Sequence, residues 1–140
     1  MRGQPLRPSV IAVVALGGAA GALLRWTLSV AWPDPVDGFP WTIFMINVAG
    51  AGVLALLPAF EVVRRRELLP PLLGTGVLGG FTTLSTYSDQ ARALVAQGRP
   101  VLAATYVVGT LAACLLVVAG ADRFSTAAAR ADFDREEGDE

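Results

Sequence analysis

The chain has 140 residues, 54% of them hydrophobic, with a formal net charge of −1, no histidine and one cysteine, and its mean hydropathy is +0.54. A soluble core of this length is seldom so apolar. The missing histidine and the lone Cys114 exclude imidazole- or thiolate-built metal sites, Ser-His and Cys-His catalysis and an intrachain disulfide, and nothing in the residues supports an enzyme or a soluble nucleic-acid binder.

A helix needs about 20 mostly apolar residues to cross hydrocarbon, and four windows have that length: Val10–Ala31, Trp41–Phe60, Leu68–Ser88 and Val101–Ala121. The expected fold is an all-α integral membrane protein with four transmembrane helices in one domain over residues 9–121. A short N-terminus over 1–8 precedes it, and an acidic tail over 122–140, rich in Arg, Asp and Glu, is expected to be disordered. Two arginines before an apolar run ending in small residues imitate a secretory signal, but three further apolar spans follow, so the first helix is expected to be retained. Four helices enclose little of a pathway, so oligomerisation is expected.

In span one, Gly17, Gly21 and Arg25 recur every four residues, with Gly18 beside them, giving a face with little side-chain bulk on which another backbone can pack closely. Arg25 stands several residues inside the end of the span, where it either snorkels to the surface or serves a partner or an anion. The loop 32–40 carries three prolines and a glycine between Trp32 and Trp41, whose indoles suit the membrane interface. Span two has one strongly polar side chain, Asn47, with Gly50 on the same face; its carboxamide either bridges helices or offers an anion two donors.

Span three is the most informative stretch. Gly74, Gly76, Gly79 and Gly80 precede Thr82, Thr83, Ser85, Thr86, Tyr87 and Ser88, and hydrocarbon has no partners for hydroxyls or freed backbone groups. Adjacent glycines weaken a helix, so a break is expected near Gly79–Thr82. Such a break frees carbonyls at one half-helix end and amides at the next start, the arrangement that holds ions in broken transporter helices. With no carboxylate beside it, a hard cation such as Na⁺ suits the bare carbonyls. In span four, Tyr106 and Thr110 are four apart and precede Cys114, so the three share a face; Tyr106 and Thr110 are candidates to line the same pathway and Cys114 to pack.

Three stretches, Gly17–Trp26, Asn47-Val-Ala-Gly50 and Gly79-Gly-Phe-Thr-Thr-Leu-Ser-Thr-Tyr-Ser88, in this order in so short a chain, resemble the CrcB/Fluc fluoride channel family, across roughly residues 9–121. The resemblance implies an antiparallel dimer of four-helix subunits. It would pass fluoride out of the cytoplasm down its electrochemical gradient, relieving fluoride toxicity, with one structural, untransported Na⁺ at the dimer centre. By the same resemblance, Gly79 and Thr82 supply the Na⁺ carbonyls, Asn47 is the pore asparagine, Ser85 a pore-lining hydroxyl, and Arg25 ends the first-helix motif. Fluoride is tightly hydrated, so a dry pore must replace its water with close donors, which Asn47 and Ser85 offer. The family has phenylalanine where this chain has Leu84 and Tyr87. Those rings turn electropositive edges to the ion; Tyr87 keeps a ring and Leu84 does not.

The arginines suggest an orientation. With four spans, one side holds Arg2, Arg7, Arg64, Arg65, Arg66, Arg123, Arg130 and Arg135, and the other Arg99 and Arg92, so both termini are expected in the cytoplasm of a cell-membrane protein. So strong a bias suits a heterodimer with an oppositely oriented paralogue rather than a dual-topology homodimer. Two other functions compete: a non-conducting partner subunit, and a small multidrug exporter, which needs a membrane-embedded carboxylate and finds only Asp89 near a span.

Overall fold

The structure is a computed structural model that describes residues 7–36 and 38–138, the stretch 126–138 by its backbone only. Arg2, and the last two residues of the expected tail, lie outside the described residues. Among the described residues every regular element is helical: α1 (Pro8–Ala31), α2 (Trp41–Leu56) with a 3₁₀ turn Leu57–Ala59, α3 (Glu61–Arg64), a π-helical segment Pro71–Leu78, α4 (Gly79–Phe81), α5 (Leu84–Ala96) and α6 (Pro100–Gly138). Three stretches are long and apolar enough to cross a membrane: Pro8–Ala31, Trp41–Ala59 and Pro100–Ser125. The third apolar window is divided between the π segment, α4 and the start of α5. Helix α6 runs past Ala121 to Gly138, through most of the tail for which disorder is expected.

Local chemistry sets the ends of these elements. Pro8 opens α1, and Pro100 lies at the start of α6, where a missing N–H costs nothing. The carboxylate of Asp34 accepts from the Thr42 amide at 2.9 Å, so the loop supplies the cap that Pro40, the residue before α2, has no side-chain group to give. Gly98 has a φ of 75°. Around it, Arg99 N donates to Leu94 O at 2.9 Å and Gly98 N to Val95 O at 3.0 Å, the paired bonds of a Schellman ending that require a left-handed residue here.

Packing divides the chain into two sets of neighbours. Helix α1 lies along the π segment and α4, while α6 lies along α2 and α5. The first contact is backbone against backbone: a Cβ on Gly17 would lie 2.5 Å from Leu72 O, and one on Gly21 would lie 2.8 Å from Phe81 N. A Cβ on Gly76 would in return lie 3.1 Å from Gly17 Cα. The four-residue recurrence of Gly17 and Gly21 therefore meets that of Gly76 and Gly80 in one seam. On the other side, Gly52 makes room for Val117, and Ser125 Oγ donates to Ala55 O at 3.3 Å. A small core of Leu94, Ala103 and Tyr106, flanked by Phe39, Phe44 and Tyr87, closes α5 on α6.

Candidate functional site

The helical path breaks at Thr82 (φ −74°, ψ 156°) and Thr83 (φ −148°, ψ 123°), both extended. Glycine freedom is not the cause. Gly79 is right-handed helical, with φ −64° and ψ −35°, and among the described residues only Gly98 has a positive φ. Gly80 instead lets α4 press against the Gly18 backbone, while two β-branched residues, at home in extended conformations, make the break itself. Thr83 then caps α5: its Oγ1 accepts from Thr86 N at 3.2 Å.

Several main-chain groups at the break have side-chain partners in place of helical ones. In an unbroken helix Thr83 N would donate to Gly79 O; here it donates to Asn47 Oδ1 at 2.9 Å, and Asn47 Nδ2 donates back to Thr83 O at 3.1 Å. Because Thr83 N only donates and Thr83 O only accepts, this clasp fixes the orientation of the carboxamide. Thr86 N, which would otherwise reach Thr82 O, is committed to the Thr83 hydroxyl. Gly80 O, the acceptor for Leu84 N in a continuous helix, receives Arg25 Nε at 3.3 Å. Gly79 O, Phe81 O and Thr82 O are thus left without their helical donors, while Gly80 O has Arg25 in place of Leu84 N.

A groove of about 400 Å³ opens onto the break, lined by Asn47, Gly50, Gly79, Thr82, Thr83, Leu84, Tyr87, Thr110 and Cys114 among others, with no carboxylate in its wall. Six of the nine candidate positions therefore face one space: Asn47, Gly79, Thr82, Leu84, Tyr87 and Thr110. Of the two amide protons on Asn47, one is spent on Thr83 O and one is left for a ligand. Leu84 is 76% exposed at the groove. The Tyr87 hydroxyl donates to Val107 O at 2.8 Å, tying α5 to α6, so the atom that distinguishes it from phenylalanine is engaged in packing.

Three candidates lie elsewhere. Ser85 is exposed beyond the groove wall, its hydroxyl 3.2 Å from Thr83 Oγ1. Arg25 neither lines the groove nor reaches outward; its Nε points to Gly80 O. Tyr106 belongs to the core, with no exposed surface, its hydroxyl donating to Gln90 Oε1 at 2.9 Å and its ring edge-on to Phe39. The face shared by Tyr106, Thr110 and Cys114 is split, because α5 covers its first turn and leaves the next two to the groove. Thr110 itself donates to Tyr106 O at 2.6 Å, presenting an oxygen rather than a proton to a ligand. Asp89 is exposed and paired with Arg92 at 3.3 Å, outside the groove. Thr83 is the residue whose importance the sequence understates: a threonine immediately before a helix is a common cap, whereas its clasp with Asn47 has no local signal.

Any cation here would have to be held by oxygen from main chain and hydroxyls, since among the described residues no cluster of His, Cys, Asp or Glu suits a metal. The Gly79 and Thr82 carbonyls, in a wall free of carboxylates, suit a hard monovalent ion, and by themselves are fewer ligands than such an ion takes.

Comparison with known proteins shows the family of this chain. Residues 12–121 match the model of the family described as CrcB-like protein, Camphor Resistance (CrcB). The chain is similar to the fluoride-specific ion channel FluC 2 of Nocardia farcinica, 44% identical over 135 residues that cover 92% of this chain and 96% of that one. It is also similar to the fluoride-specific ion channel FluC 1 of Streptomyces coelicolor, 46% identical over 111 residues that cover 78% and 72% of the two chains. With its apolar helices and the family match extending across them, this multi-pass membrane protein belongs to the CrcB-like family.

Proposed function

We propose that this chain is a subunit of a fluoride-specific ion channel that lets fluoride leave the cytoplasm down its electrochemical gradient. Four segments cross the bilayer, the third as two half-helices meeting at Thr82–Thr83, and two subunits pair antiparallel with the termini of this one in the cytoplasm. The observation that carries the reading is the groove that gathers Asn47, Thr82, Leu84, Tyr87 and Thr110 at an interrupted helix, in a chain whose relatives are named fluoride-specific channels. Asn47 offers its free amide proton to the ion, the Tyr87 ring edge adds an electropositive wall, and the apolar remainder excludes water so that these few donors count. Ser85, outside the wall of a single subunit, joins the pathway where the second subunit closes over it. Gly79 O and Thr82 O of both subunits would hold a structural Na⁺ that neutralises freed carbonyls at the dimer centre. The test is fluoride efflux from proteoliposomes of the purified protein: fluoride released while chloride is retained supports the proposal, and equal release of both anions refutes it.

A second reading, favoured by Leu84, is a heterodimer in which this chain is the less competent half. Leu84 puts an aliphatic side chain at the groove where the resemblance has a ring, and its arginines fix one orientation. Co-purification from native membranes separates the two readings: an active assembly of this chain alone, in both orientations, rules out the heterodimer. The exporter finds no support in the groove, because Asp89 is not in its wall.

A further inference from the structure

The broken helix has four carbonyls whose normal helical donors are lost, at Gly79, Gly80, Phe81 and Thr82, and of these Gly80 O is the one that has a side-chain donor instead. That donor is Arg25. Its Nε–H occupies Gly80 O at 3.3 Å, from a helix held against α4 by backbone contacts at Gly21 and Gly80. Arginine is the residue least able to lose its donors by deprotonation, and a cation at the carbonyl end of a helix is favourably placed. Its charge is partly buried beside the break rather than at the surface.

We propose that Arg25 is a positioning residue: by supplying the hydrogen bond that Leu84 N no longer gives, it holds the Gly80 carbonyl toward α1 and so sets the rotation of the last turn of α4, which turns Gly79 O to the interior. This rests on the cation part of the reading above, and it differs from a role in attracting anions, because the working atom is Nε and the partner is main chain.

Two substitutions isolate the donor from the charge. The amide nitrogen of glutamine lies as many bonds from the main chain as Nε, so Arg25→Gln keeps a donor at Gly80 O and removes the charge; Arg25→Met keeps the length and removes both. The full-length protein in detergent is followed by amide hydrogen exchange over residues 79–88, and by the Na⁺ concentration that gives half-maximal thermal stabilisation, with choline replacing Na⁺ at constant ionic strength. Arg25→Gln is expected to stay within about two-fold of wild type in the Na⁺ midpoint, and Arg25→Met to raise it by about ten-fold or more, the usual loss when a ligand's supporting hydrogen bond is removed. Faster exchange in Arg25→Met should be confined to residues 79–88. Wild-type midpoint and exchange in Arg25→Met overturn the proposal, and so does an equal shift in both variants, which assigns the effect to charge. If the wild-type protein shows no Na⁺ dependence, the cation reading fails by itself, and the exchange difference between the two variants still decides the role of Arg25.

Discussion

Substituting Gly21 by alanine tests whether the seam between α1 and the broken helix is as tight as the structure has it. The added Cβ would lie 2.8 Å from Phe81 N and 2.9 Å from Val77 C, where carbon contacts settle at about 3.5–4 Å. These two and Val77 O, which lies nearer still, are all backbone atoms, so no rotamer change relieves them and α1 has to withdraw by on the order of 1 Å. Alanine gains about 1 kcal/mol of helix propensity, and overpacking costs about 1–3 kcal/mol, with the upper end apt when backbone must move. The net expectation is a loss of about 1–2 kcal/mol, a fall of roughly 5- to 30-fold in the folded-to-unfolded ratio. Fluoride efflux should fall as well, because Arg25 lies one turn further along the same helix and the withdrawal stretches its bond to Gly80 O. Gly18→Ala is the internal control: its Cβ meets nothing nearer than Gly76 O at 3.9 Å, so it should be neutral or slightly stabilising. Thermal unfolding of the two variants in detergent, with efflux measured in parallel, gives the answer. Equal tolerance of both substitutions would refute the seam.

Further outcomes follow from single contacts. Leu84→Phe should raise fluoride efflux in liposomes if the missing ring limits conduction, since this position is exposed at the groove; unchanged efflux removes that explanation. Tyr87→Phe loses the 2.8 Å bond to Val107 O and about 1 kcal/mol of stability, while fluoride selectivity persists because the ring remains; loss of selectivity would show that the hydroxyl itself meets the ion. Asp34→Ala removes the acceptor for Thr42 N and should lower thermal stability by about 1 kcal/mol, with selectivity unchanged in the same flux assay.

The third span shows what was legible in the sequence. Glycines followed by hydroxyls in an apolar stretch point to an interruption, and the structure has one. It falls at the end of the expected Gly79–Thr82 stretch, but its cause differs: the glycines remain helical and serve close packing, and the extended residues are Thr82 and Thr83. That assignment depends on what α1 places opposite, which local propensity does not contain. Asn47 and Gly50 on one face of α2 were readable from spacing, and both line the groove. The commitment of Asn47 to the Thr83 backbone was not readable, since a pair 36 residues apart is set by how α2 meets the break. Tyr106 failed as a pathway candidate for a similar reason: periodicity gives a shared face for Tyr106 and Thr110, and only the docking of α5 decides which part of it is covered. The wide π segment over Pro71–Leu78 left no signal that we recognise in the residues.

The clasp between Asn47 and Thr83 spends one amide proton on the broken helix and leaves the other facing the groove's space uncommitted. Asn47→Leu, with fluoride efflux and amide exchange read on the same preparation, tests it most directly. The expected result is a folded protein whose residues 82–86 exchange faster and whose efflux is lost; wild-type efflux with unchanged protection across those residues would contradict it.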